Sequence, residues 1–149
     1  MGFKEAVRTC MREKYFTFQG RASRSEYWYF YLFFIVIIVV FAVFASVLIN
    51  LLFNNSEPTG FGPLAFMVVG GFLFIYLIIP QITVYVRRFH DRNLSGWWIL
   101  FIIVVGFVPY VGVVVSIVAF VITVLKGTDG DNKYGQDPLK VQNSADVFS

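Results

Sequence analysis

Residues 97–126 read WWILFIIVVGFVPYVGVVVSIVAFVITVLK, a nearly unbroken apolar run with one interruption at Pro109-Tyr110-Val111-Gly112. How that run divides decides the fold. As a single straight helix, Trp97–Leu125 would measure more than about 40 Å at 1.5 Å per residue, too long for an untilted crossing of a hydrocarbon core about 30 Å thick. The Pro-Tyr-Val-Gly composition is that of a tight turn. Two readings stand: one long kinked helix, or a hairpin of short helices at 95–108 and 111–126. Each arm of the hairpin would be about 22 Å long, tolerable with local bilayer thinning. The sequence favours the hairpin, and with it four transmembrane helices.

Two earlier runs need no such choice. Tyr27–Phe53 is long enough to span and is stopped by Asn54-Asn55-Ser56-Glu57-Pro58-Thr59-Gly60. Ser23-Arg24-Ser25-Glu26 has the spacing of a capping box, which starts that helix at Ser23. Ala42 and Ser46 make a small-residue stripe where a second helix could approach. Phe61–Val86 also spans, with Gly70-Gly71 near its middle and Pro80-Gln81 in its last third, so a bend is expected there. The predicted spans are about 25–53, 61–86, 95–108 and 111–126, in one integral-membrane domain covering 1–140, with a polar tail at 141–149.

Composition agrees. The 149 residues are 58% hydrophobic and only 14% charged, with mean hydropathy +0.72. Soluble domains carry about 25% charge, so this chain cannot surround a core with a wetted surface. The first apolar run is far longer than the 7–15 residues of a signal-peptide core and lacks a small-residue cleavage site, so it reads as a retained anchor. Lone Cys10 and lone His90 offer neither a disulfide nor a Cys/His metal cluster. Asp131-Asn132 with Asp137 lacks the EF-hand alternation and reads as a solvated turn, able to fold back on the basic loop. No metal or cofactor is expected.

Residues 3–18 form an amphipathic segment: Phe3, Val7, Cys10 and Met11 share one helical face, and Lys4, Arg8 and Arg12 another. It suits either an anionic membrane surface or packing on the rest of the protein. Lys4, Arg8, Arg12, Lys14, Arg21 and Arg24 precede the first span, and Arg87, Arg88 and Arg92 follow the second; the connection between those spans has no Lys or Arg. The positive-inside rule then puts the N-terminus and the 87–96 loop in the cytoplasm. The hairpin would place the tail there too; a kinked helix would place it outside.

Three polar segments stand against this background: Gly20 to Trp28, Arg87 through Ser95-Gly96-Trp97-Trp98, and Gly127 to Pro138. In that order, separated by apolar spans, they make the chain resemble the YhaH/YhaI-type bacterial inner-membrane proteins, domain of unknown function 805. The resemblance covers roughly residues 14–138. It rests on Gly20, Arg21, Ser23, Arg24, Glu26, Tyr27 and Trp28; on Arg87, Arg88, His90, Asp91, Ser95, Gly96, Trp97 and Trp98; and on Asn132, Tyr134, Gly135 and Pro138. Phe89 stands where Leu is usual and Arg92-Asn93 where a Thr-Gly-like pair is common. The resemblance implies an integral inner-membrane protein and supplies no reaction.

With the hairpin topology the three segments share the cytoplasmic side. Arg21, Arg24, Arg87, Arg88 and Arg92 bring positive charge, Glu26 and Asp91 counter it, and Trp28, Trp97 and Trp98 fix its depth at the headgroups. Such a cluster suits anionic lipid phosphates, because the guanidinium fork matches phosphate oxygens. The plainer alternative is that these arginines set topology and pair with Glu26 and Asp91. The candidate lipid- or partner-binding residues are Arg21, Arg24, Glu26, Trp28, Arg87, Arg88, His90, Asp91, Trp97, Trp98, Asn132 and Tyr134. His90-Asp91 invites an enzymatic reading, but adjacent residues rarely present to each other as an acid–base pair and no nucleophile accompanies them. The sequence therefore predicts a non-enzymatic scaffold or interaction protein of the bacterial inner membrane, able to form homo-oligomers, contacting anionic lipid or a partner, and with no nucleic-acid role. The alternative is a small transporter or channel, for which Asn50, Gln81, Thr83, Ser116 and Thr123 are the polar candidates.

Overall fold

A computed structural model describes residues 1–53 and 61–140. The 54–60 connection and the 141–149 tail named above lie outside the described residues. Among the described residues the architecture is all-helical. Helix α1 (Phe3–Arg8) runs into a π-helical turn (Thr9–Glu13); α2 is Arg24–Phe53, α3 is Phe61–Asp91, α4 is Trp97–Gly106 and α5 is Val111–Val124. Beyond α5 the chain makes turns and one isolated bridge between Asn132 and Gly135.

Helix α2 begins where its cap dictates. The Glu26 amide donates to Ser23 Oγ at 3.2 Å, satisfying one of the amides a helix start leaves open. The reciprocal half of the capping box does not form, because the Glu26 carboxylate turns to Arg87 instead. A charge-assisted pair outbids a bond to a backbone amide.

Helices α2 and α3 are both long and apolar enough to cross a membrane. The most apolar stretch of α2 is 0% buried and that of α3 11% buried, the reverse of a soluble core helix. Helix α3 runs continuously through Pro80. Proline has no N–H, so the Tyr76 carbonyl four residues back loses its helical donor. The Tyr15 hydroxyl takes that place, donating to Tyr76 O at 2.6 Å. Thr83 Oγ1 lies 2.9 Å from the Pro80 carbonyl.

The short helices differ in kind. At ten and fourteen residues, α4 and α5 are about 15 and 21 Å long, against about 45 Å for the thirty residues of α2. They form the hairpin favoured by the sequence, turning at 107–110.

Two regions follow. In the base, the N-terminal segment, the start of α2, the end of α3 and the α4–α5 hairpin share a core. One buried cluster joins Cys10, Ala22, Tyr27, Phe30 and Val84; a second joins Val86, Phe89, Ile99 and Ala119. In the arm, α2 beyond Phe33 and α3 before Tyr76 run together, with Phe34 against Phe74 (6.3 Å between ring centroids) and Phe41 over Gly70. A Cβ on Gly70 would sit 2.7 Å from the Phe41 ring.

The N-terminal segment packs on the protein as well as offering a charged face. Ala6, Thr9 and Cys10 are buried, while Lys4, Arg8 and Arg12 are exposed. The buried face differs from the expected Phe3, Val7, Cys10 and Met11 stripe, since Phe3 is 44% exposed. The helix ends in the π-helical turn at Glu13 rather than at 18.

Candidate functional site

The base gathers all three polar segments at one end of the long helices. The Ala22 amide donates to the Arg87 carbonyl at 3.0 Å, tying the first segment to the second. The Thr128 amide donates to the Asp91 carbonyl at 2.9 Å, tying the second to the third. Gly20 turns the chain into this cluster with φ +84°, a conformation that favours glycine.

At the centre lie three arginines and two carboxylates. Arg87 and Arg88 are fully buried, and Arg21, Glu26 and Asp91 nearly so. Arg21 Nε donates to Asp91 Oδ1 at 2.9 Å; its other nitrogens reach the carbonyls of Gly130 at 2.5 Å and Thr128 at 2.6 Å. Arg88 takes the other Asp91 oxygen and donates to the carbonyls of Thr123 (3.1 Å), Ala22 (3.4 Å) and Leu125. It thereby caps the C-terminus of α5, where a cation also suits the helix dipole. Arg87 pairs with Glu26 at 2.5 Å, and its Nη2 lies 3.8 Å from Cys10 Sγ. Among the described residues Arg87 Nε has no hydrogen-bond partner. Three cations against two anions leave this buried group net positive.

Cys10 completes the Arg87 side. Burial, then the adjacent Glu26 charge, pushes its thiol up to about 12, so it stays protonated and donates toward Glu26 Oε1 at 3.8 Å.

The third segment is a latch. The His90 ring stacks on Tyr134 with centroids 3.9 Å apart and planes 3° from parallel, and its Nδ1 lies 3.2 Å from the Gly20 carbonyl. Asn132 Nδ2 donates to the His90 carbonyl and to Thr128 Oγ1, both at 3.0 Å. Asp137 accepts from the Leu139 amide at 3.0 Å and the Gly130 amide at 3.1 Å. Those two donors, Leu139 first, hold its carboxyl below the usual carboxylate range. Gly127 is where this strand of chain crosses Asp91: any Cβ there would collide with the carboxylate.

Of the twelve sequence candidates, Arg21, Glu26, Arg87, Arg88, His90, Asp91, Asn132 and Tyr134 meet in this network. Arg24 stands outside it, exposed. Trp28 packs edge-to-face on Phe120 of α5, 5.6 Å between centroids. Trp97 and Trp98 face outward at the hairpin root, 78% and 50% exposed. Cys10, Thr128, Gly130 and Asp137 are not among the candidate binding residues, since the sequence puts Cys10 on an apolar face and Asp137 in a solvated turn; what brings them in is proximity to the charged residues in space. Among the described residues no group of His, Cys, Asp and Glu is placed to hold a metal. A shallow cavity of about 200 Å³ opens on the network, lined by Arg24, Ser25, Lys126 and Asp129 among others.

Similar proteins match this chain along most of their length. The chain is 30% identical to Inner membrane protein YhaI of Escherichia coli (strain K12), covering 85% of this chain and 89% of the relative. It is 32% identical to Inner membrane protein YhaH of the same organism, covering 85% and 90%, and 30% identical to its Uncharacterized protein YiiR, covering 88% and 92%. No solved structure matches significantly. The matched region of the family profile, residues 15–136, runs from Tyr15 at α3 to the latch, and the chain belongs to the family described as Protein of unknown function (DUF805).

Proposed function

We propose that the chain is a multi-pass, non-enzymatic interaction protein of the inner membrane, with its N-terminus and polar base on the cytoplasmic side, where exposed cations contact anionic lipid headgroups or a partner. One observation carries this reading. The buried arginines are held by internal carboxylates and carbonyls, whereas Arg24 and Lys126 stand exposed and Arg92 half-exposed around them. The inner group therefore serves as a lock, Arg92 is engaged at the Lys126 carbonyl, and Arg24 and Lys126 are the outer cations placed to reach a headgroup, Lys126 sharing its charge with Asp129 at 2.6 Å. An exposed pair of this kind is weak enough to exchange partners. The non-enzymatic reading draws on the same arrangement, since the acids and bases of the cluster are turned on one another. The cation bias supports the orientation, and the exposed arm leaves room for a second copy of the chain.

The test is lipid retention. Protein purified in mild detergent should carry anionic phospholipid, and the double substitution Arg24→Ala/Lys126→Ala should strip it without unfolding. Retention unchanged in that variant, or no anionic lipid at all, would reject the lipid version.

A second reading, a small transporter, has one observation in its favour. Gln81 is nearly buried in α3, its Oε1 lacks a hydrogen-bond partner among the described residues, and it lines a cavity of about 480 Å³ between α2, α3, α4 and α5. Selective flux into proteoliposomes, lost in Gln81→Leu, would favour it.

A further inference from the structure

The α4–α5 hairpin is too short to cross a bilayer, and both its ends are fastened to the same end of α3. At one root the Leu94 amide donates to the Phe89 carbonyl at 3.0 Å, and Gly96 abuts Val86. At the other, Arg88 holds Thr123 O at 3.1 Å and Arg92 holds Lys126 O. From there the hairpin climbs alongside α3: Ile102, Ile103 and Ser116 share a cavity wall with Ile78, and the turn at 107–110 stands about 6–10 Å beyond them. Helix α3 continues about 25 Å beyond Ile78 to Phe61. The cavity beneath the tip is lined by hairpin residues alone, Gly106, Gly112, Val113, Ser116, Ile117 and Phe120.

The tip is built for an apolar medium. Irregular backbone survives at membrane depth only where its polar groups are satisfied. Here the Val108 amide donates to Val105 O at 2.9 Å, Val111 to Pro109 O at 2.7 Å and Gly112 to Val108 O at 2.8 Å, while Pro109 brings no N–H at all. Gly112 lets the two helices close tightly, since a Cβ there would lie 2.5 Å from the Gly106 carbonyl oxygen. Phe107 and Tyr110 at the turn are 85% and 89% exposed, and the turn 107–110 carries no charged residue. The hairpin's outer face, with Leu100, Val104, Val114 and Ile117 exposed, continues without a polar break into the outward faces of α2 and α3. At its roots the sequence changes to Trp97 and Trp98 on one side and Lys126 on the other, chemistry suited to the headgroups of a single leaflet.

We propose that α4–α5 is a half-depth hairpin occupying only the leaflet on the side of the polar base, with Pro109–Tyr110 in the acyl interior, and that it makes the chain a wedge. Its partner is the acyl layer of that leaflet. There the chain presents four helices and the N-terminal segment; in the opposite leaflet it presents the α2–α3 arm alone. Such a cross-section favours a membrane curved with the base side convex. The inference rests on the membrane reading above and replaces two full crossings by α4 and α5 with one re-entrant excursion.

The experiment places single cysteines at Tyr110, at Lys133 and at Ser56 in a Cys10→Ser background. A membrane-impermeant maleimide is applied to cells, to inverted vesicles and to detergent-opened membranes. The expected pattern is Lys133→Cys labelled from the base side, Ser56→Cys from the other, and Tyr110→Cys from neither until detergent is added. Labelling of Tyr110→Cys from the Ser56 side would show a full crossing and overturn the proposal; Phe107→Cys provides a second reporter should Tyr110→Cys fail to fold. If Lys133→Cys and Ser56→Cys label from one side, the membrane reading fails instead. In proteoliposomes, small sonicated vesicles should hold the base outward over base inward by about twofold or more, the bias vanishing in large vesicles. Equal orientation at both sizes would overturn the wedge.

Discussion

The base and the arm of this molecule are made from the same two helices and held together by opposite means. In the base, α3 is joined to α2 and to the segment just before it by ion pairs between residues tens of positions apart, Arg87 to Glu26 and Arg21 to Asp91. In the arm the same helices meet through aromatic packing and a glycine, Phe34 on Phe74 and Phe41 on Gly70. Its polar Asn50 side chain bonds back to its own helix at Ser46 O, 2.8 Å away. The difference follows from the surroundings. In lipid, apolar side chains gain nothing by leaving an equally apolar solvent, so the arm has only contact packing to work with. In the base, buried charge is tolerable only when paired, and pairing fixes the partners. Specificity therefore resides in the base, and the arm is permissive.

Four measurements would break or sharpen that contrast. Asp91→Ala strips the shared counter-charge from Arg21 and Arg88. It should cost about 3–5 kcal/mol, as for removal of one member of a buried pair, read as a large fall in the detergent melting temperature. Trypsin should then cut at Lys126 and Lys133 in the folded sample. Tyr15→Phe should cost about 1–3 kcal/mol by orphaning the Tyr76 carbonyl. The same change in a Pro80→Ala background should cost far less, because the restored amide reclaims that carbonyl; equal costs in both backgrounds would refute the account of Pro80. Acid should act on the latch in a defined direction. Asp137 titrates below its ordinary value of 3.8 in the folded state, so its contribution is complete above that value and is lost as pH falls through the lower, folded one. Protease sensitivity of residues 127–139 should stay flat down to about pH 4 and rise below it; Asp137→Asn should abolish the rise. Smallest of all, Val43→Ala or Met67→Ala on the outward faces of the arm should shift stability by no more than about 0.5 kcal/mol. A cost several times larger would mean that the arm is an interface with a second copy.

The sequence carried some of this plainly. Hydropathy marked α2 and α3, Ser23 marked the start of α2, and the Pro109–Gly112 break marked the turn between α4 and α5. These are local signals, written in composition and spacing. The pairing of charges was not local. Five arginines and two carboxylates were visible as one group, yet nothing in their order says that Glu26 takes Arg87 while Arg21 and Arg88 divide Asp91. The N-terminal face was missed because the apolar Phe3 stays exposed while small Ala6 and polar Thr9 are buried beside Cys10, and hydropathy does not mark small or hydroxyl side chains as a buried face. Tyr15 was invisible because its task exists only once Pro80 has left a carbonyl open sixty-one residues away. Asp137 read as a solvated turn residue; its two amide donors depend on how the chain folds back at Gly130.

Arg21 also sets a schedule for manufacture. Its acceptors lie at Asp91, Thr128 and Gly130, the last 109 positions downstream. A ribosome that has delivered the first eighty residues to the membrane has made the guanidinium and none of these partners. Contacts of such long range close last. A nascent chain therefore waits with its cationic end open until the final segment arrives, and a product truncated before Thr128 never closes it. That open end marks unfinished molecules, in a form the cell's proteases can read.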